Sequence, residues 1–253
     1  MYICAVANQK GGVGKTTTVQ NLGAMLARRK KVLLIDLDAQ GNLTDACGFA
    51  QEEVSVSSYE VLCGTCHLKQ AVLTLEKNLT LLPASKNLAV AELALASRMG
   101  RENLLKKALN GADYDFVLID CPPGLGLLTI NALTAAQGLL IPVQAEYYAL
   151  AGLDLIQETM SSVIENLNHS LCLVGILLTF YDKRKTLNCD VEKGLRERWG
   201  DTVFKSIIRD NVALAEAPSN GKNIFSYRPK SYGSMDYQSL AKEFEHRIKA
   251  LKK

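Results

Sequence analysis

Short runs that are apolar at nearly every position alternate along this chain with longer stretches whose apolar residues recur at helical spacing. A strand covered on one face alternates apolar and polar side chains, whereas a strand covered on both faces does not. The runs at 2–7, 31–36, 79–83, 116–120, 138–143, 172–180 and 203–208 are mostly of the second kind and predict buried strands. The stretches at 15–29, 87–96, 102–109, 127–136, 150–167, 191–199 and 235–251 predict helices. This alternation predicts an α/β fold, doubly wound, with a mostly parallel sheet and helices on both faces. Residues 50–71 are the least legible. With no low-complexity linker or repeat, residues 1–253 read as a single domain.

Composition narrows the class. Of 253 residues, 48% are hydrophobic and 22% charged, the balance of a folded globular chain rather than a disordered one. The longest nearly unbroken apolar run, 171–180, is about half of the ~20 residues that a membrane-spanning helix requires. Net charge is only +3, but it is unevenly divided. Residues 1–170 carry 13 Lys and Arg against 16 Asp and Glu, or −3; residues 171–253 carry 16 against 10, or +6. A basic C-terminal third suits a polyanion, either nucleic acid or an anionic membrane surface. Seven scattered cysteines and no basic-then-apolar leader predict free thiols in a reducing cytoplasm.

The densest chemistry follows the first predicted strand. Lys10-Gly11-Gly12-Val13-Gly14-Lys15-Thr16-Thr17 links that strand to a helix and is an altered G-x-x-x-x-G-K-[ST] phosphate loop, the mark of a P-loop NTPase. Glycines let successive backbone N–H groups turn inward around phosphate oxygens, and the helix N-terminus adds partial positive charge. Lys15 is placed for the β- and γ-phosphates of ATP, the Thr16 hydroxyl for Mg2+ and Thr17 for the α-phosphate. Lys10 is not needed by a cradle built within one chain.

Two further apolar runs end in acids. Asp36 and Asp38 close one of them, and strand alternation turns them to the same side. At the carboxyl end of a parallel strand they would lie near the phosphate loop, where buried charge needs compensation; Mg2+ and an attacking water supply it. The run 116–120 ends in Asp120 like a Walker B strand, predicting a carboxylate that holds Mg2+ through its water shell.

The loop Lys10-Gly11-Gly12-Val13-Gly14-Lys15-Thr16 resembles the deviant Walker A motif of the ParA/MinD family of ATPases. Asp36-Leu37-Asp38-Ala39-Gln40-Gly41-Asn42 resembles that family's first switch, with Ala39 where proline is usual, and Pro122-Pro123-Gly124-Leu125-Gly126 its second, with Gly124 for serine. The segments at 142–150, Glu216-Ala217-Pro218-Ser219 and Ser231-Tyr232-Gly233 resemble the ParA/Soj branch. The likeness runs nearly end to end. It implies a cytoplasmic, nucleoid-associated ATPase that partitions chromosomal or plasmid DNA. Mg-ATP would draw two subunits into a sandwich homodimer that binds double-stranded DNA without reading its sequence. Hydrolysis, stimulated by a ParB-like protein, would release the DNA. In that scheme Lys10 reaches the nucleotide of the other subunit, as an arginine finger does, and Asp38 positions the hydrolytic water.

The resemblance implies more toward the C-terminus. Arg209 and Asn211 match positions that line the adenine pocket, Arg209 replacing a proline. A DNA-contacting arginine falls at Ala213, so that contact is missing. Another falls at Arg184, flanked by Lys183 and Lys185. A MinD-like ATPase acting at a membrane surface is the alternative. In the last helix, Leu240, Phe244, Ile248 and Leu251 share one face, which reads as core packing rather than as a membrane face, so no stable membrane association is expected. Cys63-Gly64-Thr65-Cys66-His67 spells the haem-attachment pattern of exported proteins, which nothing else in the chain supports.

Overall fold

The computed structural model describes residues 1–146 and 149–251. Tyr147 and Tyr148, part of the ParA/Soj resemblance, and Lys252 and Lys253 lie outside them. The described strands are β1 (Tyr2–Val6), β2 (Val32–Asp36), β3 (Leu73–Glu76), β4 (Leu79–Leu82), β5 (Phe116–Asp120), β6 (Gly138–Gln144) and β7 (Cys172–Thr179). They form a seven-stranded sheet in the order β3-β4-β2-β5-β1-β6-β7. Every pairing is parallel except the edge hairpin β3–β4. The α-helices are α1 (Lys15–Ala27), α2 (Asn42–Ala46), α3 (Ser58–Cys63), α4 (Leu68–Ala71), α5 (Ala91–Leu95), α6 (Leu104–Ala108), α7 (Leu127–Ala135), α8 (Ala149–Asn166), α9 (Thr186–Trp199), α10 (Val212–Glu216), α11 (Ile224–Tyr227) and α12 (Tyr232–Leu251).

Strand alternation divides the core in two. Ile3, Ala5, Leu33, Ile35, Val117 and Ile119 face one side, against residues of α3, α6, α7 and α8. Tyr2, Cys4, Val6, Leu34 and Leu118 face the other, against α1 and α12. Both faces being dry is why these strands read as unbroken apolar runs.

Two departures from the sequence reading have clear causes. Residues 203–208 do not form a strand. Val203 and Arg209 each bridge toward β7, but between them the Lys205 and Ser206 amides donate to the Glu243 carboxylate of α12, each at 2.8 Å. The Phe204 and Ile208 amides do donate to the Ile176 and Leu178 carbonyls of β7, but the Ser206 amide that a continuous ladder needs between them is diverted. The missed strand is β3, four residues long and only half covered at an edge, too short to leave a periodic trace. On α12, Leu240, Phe244 and Ile248 are buried against α1, so the core-packing reading holds for them. Leu251 instead remains 47% exposed, one turn past the end of that contact.

Candidate functional site

The carboxyl ends of β1, β2 and β5 converge on one cavity of about 530 Å3. Gly11, Gly12, Gly14, Lys15, Thr16 and Thr17 line it, opposite Gln40, Asp38 and Pro123, with Phe180, Pro218 and Ser219 also in the wall. The loop's shape requires its glycines, because Gly12 and Gly14 have φ of 73° and 84°. Val13 turns the other way, its side chain buried, while its carbonyl accepts a 2.9 Å bond from the Thr179 hydroxyl at the end of β7. Asn8 pins the start of the loop. Its amide donates to the Pro142 carbonyl at 2.7 Å, and its oxygen accepts the Lys10 N–H at 3.0 Å.

The two lysines of the loop differ completely. Lys15 is 7% exposed and donates to the Lys10 carbonyl at 3.1 Å, filling the cradle from within. Burial pushes its ammonium below the usual lysine range, and the nearby Asp120 and Asp38 carboxylates partly restore it. Lys10 points away from the cavity, and its half-exposed ammonium pairs with the Glu146 carboxylate just past β6.

Asp36 and Asp120 sit side by side in the β2–β5 register. The Thr16 hydroxyl donates to Asp120 Oδ2 at 2.6 Å, whereas Asp120 Oδ1 is buried without a hydrogen-bond partner among the described residues. Burial, then the Asp36 charge, raises the Asp120 carboxyl well above the usual range. Asp36 is fully buried too, and burial pushes it up to about 7 despite bonds from the Thr44 hydroxyl and from the Thr44 and Asp38 amides. The sequence reading turned Asp36 and Asp38 to one side. The strand ends at Asp36, however, so alternation does not reach Asp38. Asp38 lies in the following turn, accepts the Gln40 N–H at 2.9 Å and lines the cavity, which Asp36 does not. Asp36 anchors α2 instead.

Arg209 and Asn211 do not line this cavity. The Arg209 guanidinium is held by Asp236, with Nη2 at 2.6 Å from Oδ1, and the Asn211 side chain caps α10 through the Ala213 N–H at 3.0 Å. Sequence reasoning missed Phe180, read as the end of β7. It has φ of 51°, strained for an aromatic residue, and its ring passes over Gly14, where a Cβ would lie 3.5 Å from Cε2. Gln20, also missed, was legible in principle, lying one helical turn beyond Thr16 on the same face of α1.

Lys183, Arg184 and Lys185 are exposed in the turn between β7 and α9, where Arg184 forms a two-pronged pair with Asp182. Gly124 has φ of 137°, a conformation that accounts for glycine where the family resemblance has serine. Cys121, beside Asp120, is buried in the core. Of the Cys63–His67 segment, Cys63 ends α3 and His67 opens α4.

Residues 1–173 match a family model described as an AAA domain. The chain is 47% identical over 245 residues to the chromosome-partitioning ATPase Soj of Thermus thermophilus, covering 96% of this chain and 95% of that protein. It is 46% identical over 245 residues to the sporulation initiation inhibitor protein Soj of Bacillus subtilis, covering 95% of this chain and 97% of that one. A solved Mycobacterium smegmatis structure, titled cobyrinic acid a,c-diamide synthase with bound ADP and magnesium, superposes with a TM-score of 0.87 at 39% identity. That match covers 99% of this chain and 96% of the other.

Proposed function

The chain belongs to the ParA/Soj family of chromosome-partitioning ATPases, and from that premise we propose that it is an ATP-driven molecular clamp on DNA. The observation that carries this reading is the contrast between its two loop lysines. Lys15 fills the cradle of its own chain, while Lys10 is turned out of that cradle, half-exposed and held only by an exposed pair with Glu146 that a phosphate of a second subunit could displace.

ATP would lie along Gly11–Thr17, its phosphates taking the place of the Lys10 carbonyl as partner of Lys15. Thr16 and Asp120 fit a Mg2+ ion, since the carboxylate has an orphaned buried oxygen that a metal-bound water would satisfy. Mg2+ would neutralise charge building up on the terminal phosphates. Asp38 would orient the attacking water from the cavity wall, and Lys10 would come from the second subunit to the same phosphates. Phe180 and Pro218 would flank the base in place of Arg209 and Asn211.

Two chains closing over two nucleotides would set both basic C-terminal thirds side by side. Doubling the phosphate contacts steepens DNA affinity through released counterions, without base readout. Loss of the γ-phosphate would relax both switch loops and free the duplex, and a ParB-like protein would accelerate that step. A membrane-surface role has less support, because most of the apolar face of α12 is already spent on the core.

The test is light scattering and duplex titration of the Asp38→Ala protein with ATP, ADP and no nucleotide. The expected result is a stable dimer that binds duplex DNA only with ATP, the affinity falling as salt rises. A protein that stays a single chain with saturating ATP refutes the clamp.

A further inference from the structure

Away from the nucleotide cavity, two adjoining concavities form a continuous groove. One, of about 610 Å3, runs between the 182–184 turn and residues 207–212. The other, of about 800 Å3, lies toward residues 227–232, and the two share Asp210, Val212 and Tyr232. The groove's cations are Lys183, Arg184, Arg209, Arg228 and Lys230, against the carboxylates of Asp182 and Asp210 in the lining.

Arg209 is the best-organised of these cations. Its guanidinium stacks on the ring of Tyr232, with Cζ 4.2 Å from the centroid. Nε and Nη2 donate to Asp236, a carboxylate only 9% exposed, and the Arg209 N–H donates to the same carboxylate at 3.0 Å. Nη1 has no hydrogen-bond partner among the described residues. A guanidinium has five donors in a rigid fork. With one edge locked by Asp236 and one face by Tyr232, the remaining edge is preorganised for an oxygen anion. Phosphate is the chemistry that such an edge fits.

We infer that Arg209, which stands where the family resemblance has proline, is a phosphate contact of the proposed duplex-DNA surface along this groove. The inference rests on the proposed DNA-binding function. It assigns to Arg209 the phosphate contact that Ala213, only 5% exposed, cannot make. The one side-chain amide in the lining, Asn211, is committed to capping α10 and adds no contact to a base edge.

The test is fluorescence anisotropy of a labelled duplex with the ATP-bound full chain over a salt series. The variants are Arg209→Gln combined with Asp236→Asn, which leaves no carboxylate unpaired, and Tyr232→Ala at a side chain already 61% exposed. The double variant is expected to weaken binding about five- to twentyfold and to lower the slope of log K against log salt by about one per protomer. Tyr232→Ala is expected to weaken binding about threefold through loss of the stacked platform. Unchanged affinity and slope in both variants, with the unmodified protein binding duplex, overturns the groove but leaves the DNA-binding function standing. Loss of ATP affinity with an unchanged DNA slope returns Arg209 to the base pocket and overturns the inference. If the unmodified protein binds no duplex but sediments with phosphatidylglycerol vesicles in an Arg209-dependent way, both the inference and the DNA reading fail.

Discussion

The ammonium of Lys10 is paired with the carboxylate of Glu146 in the same chain, although 136 residues separate them. The lysine proposed to act on a second subunit is therefore occupied at home. Both side chains are nearly half exposed, so the pair contributes on the order of 0.5–1 kcal/mol and can be outcompeted by a phosphate. Glu146→Gln releases the lysine in both protomers, and the ATP-dependent dimer is expected to tighten about five- to thirtyfold in sedimentation equilibrium. An unchanged dimer constant removes the pair from the assembly pathway.

Lys15 fills the cradle, and among the described residues its ammonium donates to the Lys10 carbonyl alone. Its replacement by alanine is expected to abolish ATP binding in calorimetry. The fold survives, because the lost side chain borders a cavity rather than the packed core. Retained micromolar affinity contradicts the assignment of the loop.

The paired carboxylates of β2 and β5 make the protein's stability pH-dependent. The Asp120 carboxyl titrates above the unfolded value, so its stabilising contribution is complete below about pH 4 and is lost as pH rises toward the raised value. Asp120→Asn keeps an acceptor for the Thr16 hydroxyl and removes the charge. Without nucleotide or Mg2+, this variant is expected to be more stable than the parent at pH 8, by about 1–3 kcal/mol, and nearly equal to it at pH 4. Its ATPase activity is expected to be lost. Urea unfolding at the two pH values checks the sign, and a variant less stable at pH 8 refutes the argument.

Phe180 combines backbone strain with a ring over the phosphate loop. Phe180→Gly is expected to relieve strain of about 1 kcal/mol, offsetting part of the lost ring packing. It is also expected to weaken ATP binding about tenfold, as removal of a stacked base platform should. Equal ATP affinity in the variant places the base elsewhere.

Much of this protein was written locally. The phosphate loop, the apolar strands and the acids at their ends depend on neighbours within a few residues, and both faces of the sheet are covered. Unbroken apolar runs therefore gave β1, β2, β5 and β6 to within one residue at each end. The resemblance named the switches and the family on the same local motifs.

Relations between distant segments were decided only by the tertiary structure. Residues 203–208 have the composition of a strand, but Glu243, about 40 residues away, takes the Lys205 and Ser206 amides and interrupts the ladder to β7. Asp36 and Asp38 look equivalent in sequence, yet the strand ends between them, sending one behind the cavity and the other into its wall. Asp236, buried on α12, holds the Arg209 guanidinium outside the phosphate-loop cavity, and Glu146 holds Lys10. Local spacing can specify which groups a loop offers. Which of them remain free depends on competing donors and acceptors brought in from elsewhere by folding, because a buried polar group takes the nearest partner that chain closure provides.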